Sequence, residues 1–114
     1  MQERSLSIEV IHGSQNREVV LRLSGPLVLN SIFDFQRAWR AEDGPNIVVD
    51  LSGVPYVDSS GIGSLVNLHV SRQKKGGELF LAGVSDRVMT ALAVTKVDKI
   101  FSFRSSPFGR SISA

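Results

Sequence analysis

The chain has 114 residues, 42% of them hydrophobic and 21% charged, which is the length and mixture of one globular domain and unlike a disordered chain. It has no cysteine, which excludes disulfides, thiol nucleophiles and Cys-ligated metals and suits a reducing cytoplasm. Thirteen basic against eleven acidic residues leave a net charge of +2, with no dense basic stripe carrying the interleaved aromatics of a nucleic-acid surface.

No run approaches the ~20 apolar residues of a membrane span, so no membrane insertion is expected, and Met1-Gln2-Glu3-Arg4 does not open like a secretion signal. The charge is uneven. Residues 1–57 hold 5 basic and 7 acidic side chains, residues 58–114 hold 8 and 4. The densest basic cluster, Arg72, Lys74 and Lys75, reads as a solvated helix face.

Leu6, Ile8 and Val10 alternate with polar residues, as do Val19, Leu21 and Leu23. Between them the polar stretch from His12 to Asn16 predicts the turn of an antiparallel hairpin. Gly25-Pro26 breaks the pattern, and Ile32, Phe35 and Trp39 then recur at helical spacing, giving a helix over 31–41 capped by Asn30 or Ser31. Ile47-Val48-Val49-Asp50-Leu51 reads as a central strand covered on both faces. A second helix is expected from about Ser60 to Lys75, with Ile62, Leu65, Val66, His69 and Val70 on its inner face and Gly76-Gly77 as its stop. Residues 78–82 form another strand. Ser85-Asp86 opens a third helix that buries Val88, Met89 and Leu92, and residues 101–103 close the order as a last strand. Residues 105–114, rich in serine, read as a flexible tail after a domain spanning 1–104.

Strands and helices alternate after the first hairpin, which predicts an α/β domain: a mixed sheet of about five strands with helices packed on it.

Chemistry is sparse. The two histidines lie in unrelated segments, with no His-x-x-x-His or paired-carboxylate spacing for a metal. Ser59 and Ser60 lack the Gly-x-Ser-x-Gly elbow, and His69 is about 14 Å further along the same helix, too far to act as their base. There is no phosphate-loop or dinucleotide motif. Neither a catalytic residue nor a cofactor site is expected.

What stands out is Val57-Asp58-Ser59-Ser60-Gly61-Ile62-Gly63. Asp58 or a serine can cap the helix that begins there. Capping does not account for two glycines in a first turn, each costing about 1 kcal/mol against alanine. Such glycines admit the close approach of either a neighbouring element or a partner, and the residues alone leave both open.

This segment, together with the strand Ile47–Leu51 and its continuation Ser52-Gly53-Val54, resembles the STAS family, and within it the single-domain bacterial anti-sigma factor antagonists. Supporting matches are Gly76-Gly77, Leu79-Phe80-Leu81-Ala82-Gly83-Val84, Val88, Leu92 and Ile100-Phe101, so the resemblance runs from about Leu6 to Phe103. It departs in two places. The family's frequent Gly-Glu-Leu-Asp is Gly25-Pro26-Leu27-Val28 here, and its Thr-Gly-Leu after the third helix is Thr95-Lys96-Val97. The resemblance implies that Ser59 is phosphorylated by an anti-sigma factor that is also a serine kinase of GHKL type. It implies further that the unmodified protein binds that kinase and frees a sigma factor, and that a PP2C-type phosphatase resets the switch. The chain would then be a substrate, not an enzyme. The alternative is a STAS interaction module of another assembly: a stressosome-type scaffold, a transporter accessory subunit or a biofilm regulator.

Loops at the same end of parallel strands cluster. The expected partner surface therefore joins Pro55 and Tyr56, the segment Asp58, Ser59, Ser60, Gly61 and Gly63, and the loop Ser85, Asp86 and Arg87.

Overall fold

The computed structural model describes residues 5–13 and 18–108. The expected turn residues 14–16, the first four residues and positions 109–114 lie outside the described residues. The elements follow the expected order: β1 (Ser7–His12), β2 (Glu18–Ser24), α1 (Ile32–Arg40), β3 (Asn46–Gly53), α2 (Ser59–Lys74), β4 (Leu79–Ala82), α3 (Asp86–Val94) and β5 (Ser102–Arg104). They build one five-stranded sheet in the order β1-β2-β3-β4-β5. β1 pairs antiparallel with β2, Ile8 opposite Leu23, and every later pair is parallel.

That monotonic order decides where the helices go. Each β-α-β crossover is right-handed by default, and successive crossovers in one direction place all helices on the same face. The burial pattern agrees. Val19, Leu21, Leu23, Ile47, Val49, Leu51, Leu79 and Leu81 point into the main core, with Phe35 and Trp39 from α1, Leu65 and Leu68 from α2, and Val88 and Leu92 from α3. The alternate residues Val20, Val48 and Ala82 form a second, smaller cluster on the opposite face, flanked by Ile11 and Phe80.

β3 is central and buried on both faces, but its second cover is not a helix. The Arg104 guanidinium lies 3.8 Å from the Phe80 ring centroid and forms a two-pronged ion pair with Glu18 at 2.7 and 3.0 Å. Arg22 donates to the buried Asp50 carboxylate at 3.2 Å and to Glu9 at 3.3 Å. Long arginine side chains, apolar along the stem and charged at the tip, thus roof the side of the sheet that none of the described helices reaches.

Two helical details differ from expectation. Ser31 holds the N-cap position of α1 without a side-chain cap; its hydroxyl instead donates to the Pro26 carbonyl at 2.9 Å and accepts from the Val28 N–H at 3.0 Å. On α2 the inner stripe runs through Ile62, Leu65, Leu68 and Arg72, while Val70 is 40% exposed and Val66 and His69 are half-buried. His69 packs edge-on against Phe101, ring centroids 5.7 Å apart.

Arg72 is therefore not part of a solvated cluster. It is fully buried and donates through Nη1 to the carbonyls of Glu42 and Gly44 at 3.1 and 2.7 Å. These carbonyls follow the end of α1, and a buried donor serves chain that leaves a helix without partners for its last C=O groups. Burial lowers the Arg72 pKa from its ordinary value, while Asp43 and Glu42 act the other way.

Candidate functional site

The parallel strands end together, and the loops beyond β2, β3 and β4 meet there. After β3 the chain turns through Pro55-Tyr56 and pairs for one residue with the loop leaving β2, Val57 beside Leu27. The Leu27 N–H donates to the Tyr56 carbonyl at 3.2 Å, and the Asp58 N–H returns to the Leu27 carbonyl at 3.4 Å.

Asp58 is the hinge of this corner. Its backbone is extended at the N-cap of α2. Oδ1 accepts from the Gly61 N–H at 2.8 Å, and Oδ2 accepts from the Leu29 N–H at 3.0 Å. One carboxylate thus caps the helix and fastens the β2–α1 loop to it, answering the capping question in favour of Asp58. Ser59 follows as the first helical residue and is exposed; Ser60 is half-buried.

The two glycines separate. A Cβ on Gly61 would sit 2.0 Å from the Leu27 carbonyl oxygen, whereas one on Gly63 would meet nothing within 4 Å. Gly61 is thus required by a neighbouring element and is buried beneath it. It does not share the open surface formed by the other residues expected there. Gly63 does.

Two depressions flank the ridge carrying Asp58 and Ser59. One, about 460 Å³ between α1 and α2, is lined by Ile32, Gln36, Ser60, Gly63 and Ser64 among others. The other, about 440 Å³, gathers Ser24, Ser52, Pro55, Ser85 and Arg87. The Arg87 guanidinium, in the first turn of α3, stands 5.0 Å from the Tyr56 ring centroid, so the start of α3 meets the β3–α2 loop. Ser85 is committed locally, its Oγ accepting from the Val88 N–H at 3.2 Å as the cap of α3. Asp86 is exposed in the next position. The corner holds few charges: Asp58, already engaged by two N–H groups, and the Asp86–Arg87 pair of opposite signs.

Sequence reasoning passed over Leu29 and Phe33. Both are strongly exposed, at 56% and 62%; the Leu29 N–H is bonded to Asp58, and Phe33 follows four residues on, in the first turn of α1. The available signal was the odd placement of a large apolar residue at 33, off the Ile32–Phe35–Trp39 stripe.

A sheet with one antiparallel edge, three helices on a single face and a capped serine helix at the carboxyl end of its strands defines a small α/β domain. The STAS domain family matches residues 7–111, and this chain belongs to it. Among its relatives is an anti-sigma-B factor antagonist of Listeria monocytogenes, 30% identical over 66 residues, which are 58% of either chain. The match thus spans under two thirds of that relative's length. An anti-sigma factor antagonist from Mycobacterium paratuberculosis has the same fold with a TM-score of 0.76, 21% identity, and 90% of this chain and 87% of that one covered. The anti-sigma factor antagonist SpoIIAA in its unphosphorylated form gives a TM-score of 0.73 and 16% identity, with 87% and 89% covered. Among the described residues, no helix is long and apolar enough to cross a membrane.

Proposed function

We propose that this chain is an anti-sigma factor antagonist in a cytoplasmic partner-switching system. Unmodified, it binds a GHKL-type anti-sigma factor that is also a serine kinase, and the sigma factor is released. Phosphorylated on Ser59, it no longer binds, and a PP2C-type phosphatase restores it. The observation carrying this reading is the position of Ser59: exposed, first in a sixteen-residue helix, at the end of the sheet where three loops meet.

The chemistry suits that position. The Ser59 hydroxyl oxygen attacks the γ-phosphorus of ATP, the bond to the bridging oxygen breaks, ADP leaves, and the hydroxyl proton passes to a base of the kinase or to water. The phosphate then lies at the positive end of the α2 dipole beside backbone N–H groups, so the fold tolerates it. It adds about −1.5 to −2 charges, and the neighbouring Asp58 offers no compensation. A nearly neutral docking surface becomes acidic without a conformational change.

Incubation with the kinase and ATP should place one phosphate on Ser59, located by fragmentation mass spectrometry, and Ser59→Ala should abolish it. Calorimetric titration should show Ser59→Ala still binding and Ser59→Asp weakened about ten-fold or more, because a carboxylate buried without a partner costs several kcal/mol. Phosphate on Ser60 or on the tail serines would refute the assignment.

A further inference from the structure

Near Ser59 the surface carries two large exposed apolar side chains. The Leu29 N–H is held by Asp58, the residue just before Ser59, at 3.0 Å, yet the Leu29 side chain is 56% exposed. Phe33 is 62% exposed, although it sits in the first turn of α1 next to Ile32, which shares a groove with Ser60 and Gly63. The charges nearest these side chains largely offset one another or are held by backbone N–H groups. Asp58 accepts two backbone N–H groups, and Asp34 is paired with Arg37 at 3.1 Å.

Size then decides what must cover these side chains. A stable protein partner buries about 800 Å² on each side, a round patch of about 16 Å radius. Packed helices lie only about 8–10 Å apart, so a partner centred on Ser59 cannot avoid Leu29, whose N–H is bonded to Asp58, and a patch of that radius extends to Phe33 in the first turn of α1. Aromatic side chains sealed from water inside an interface carry much of its binding energy.

We propose that Leu29 and Phe33 are the apolar anchors by which the protein kinase that modifies Ser59 holds this chain, seated in an apolar depression of that kinase. This rests on the Ser59 reading above and names the chemistry of its partner. It also supplies the reason a phosphate ejects the partner: the dianion would be enclosed beside side chains that offer it no donor, in an interface that has excluded water.

The test uses the kinase that labels Ser59 in the assay above, titrated calorimetrically against wild type, Phe33→Ala, Leu29→Ala and Leu29→Lys. Phe33→Ala should weaken binding about thirty-fold and Leu29→Ala about ten-fold, with Leu29→Lys weaker than Leu29→Ala and thermal midpoints within about 2 °C of wild type, since both side chains are exposed. Combining Phe33→Ala with Ser59→Asp should be less than additive, because the anchor that makes the charge costly is gone. Equal affinities for wild type and the variants would overturn the anchors and leave the Ser59 reading intact. Failure of any such kinase to label Ser59 would overturn both. Sedimentation showing a wild-type dimer that Phe33→Ala dissolves would assign the patch to a second copy and overturn the proposal.

Discussion

Arg104 donates two hydrogen bonds, at 2.7 and 3.0 Å, to Glu18, 86 residues earlier in sequence, across the face of the sheet opposite the three helices. The pair joins the last strand to the start of β2 over the ring of Phe80, and both side chains are mostly shielded from solvent. Truncating one member leaves the other shielded and unpaired, which is costlier than removing both. Glu18→Ala should therefore lower stability by about 1–3 kcal/mol, while Glu18→Leu combined with Arg104→Met should recover most of the loss. Urea unfolding of the three variants measures the difference.

The two glycines at the start of α2 should respond in opposite directions. Gly61→Ala forces a methyl group into the Leu27 carbonyl, where backbone and not a flexible side chain must give way, and a loss above about 2 kcal/mol is expected. Gly63→Ala enters open space inside a helix and should stabilise by about 0.5–1 kcal/mol. Thermal midpoints separated in this way would confirm which glycine the fold requires.

Phe35 is fully buried on the inner face of α1. Phe35→Ala removes a ring the neighbours cannot replace and should cost about 3–5 kcal/mol by denaturant unfolding. A loss below about 1 kcal/mol would contradict the packing of α1 on the sheet.

The ends of α2 and α3 are closed by the same pair of backbone bonds, with different residues at the left-handed position. After α2 that position is Gly76, at φ 76°; after α3 it is Lys96, at φ 62°. The Val97 N–H reaches the Leu92 carbonyl at 3.1 Å, and the Lys96 N–H reaches the Ala93 carbonyl at 3.0 Å. A side chain held left-handed costs about 1–2 kcal/mol, partly offset in a glycine variant by the freer unfolded chain. Lys96→Gly should raise stability by about 0.5–1 kcal/mol, read from the urea midpoint at unchanged m-value.

Element order and helix positions were legible because apolar periodicity is a local property: Ile32, Phe35 and Trp39 suffice to orient α1. Leu68 and Arg72 were missed on α2 for different reasons. Leu68 was passed over in favour of Val70, which has similar spacing but lies across the helix. Arg72 looks solvated in sequence, and only the two carbonyls after α1 give its guanidinium a reason to be buried. The arginine roof was invisible because Glu18 and Arg104 meet only through tertiary folding. At the candidate site the serine motif was plain, since capping residues and glycines cluster in sequence. The role of Leu27 against Gly61, and the exposure of Leu29 and Phe33, depend on a loop brought from the preceding crossover, and nothing in the local pattern announces that approach.

The double engagement of Asp58 bears on how fast and how tightly this corner can be read. Because one carboxylate fixes both the β2–α1 loop and the start of α2, the surface around Ser59 is ordered before anything touches it. Association then loses little conformational entropy in this chain, where each rotamer-rich side chain frozen on binding would otherwise cost about 0.5–1.5 kcal/mol. A switch built on Ser59 stores no strain in the fold. On the proposed reading its two states would differ only in what the surface displays, and the return from one to the other would take as long as the hydrolysis of a phosphate ester.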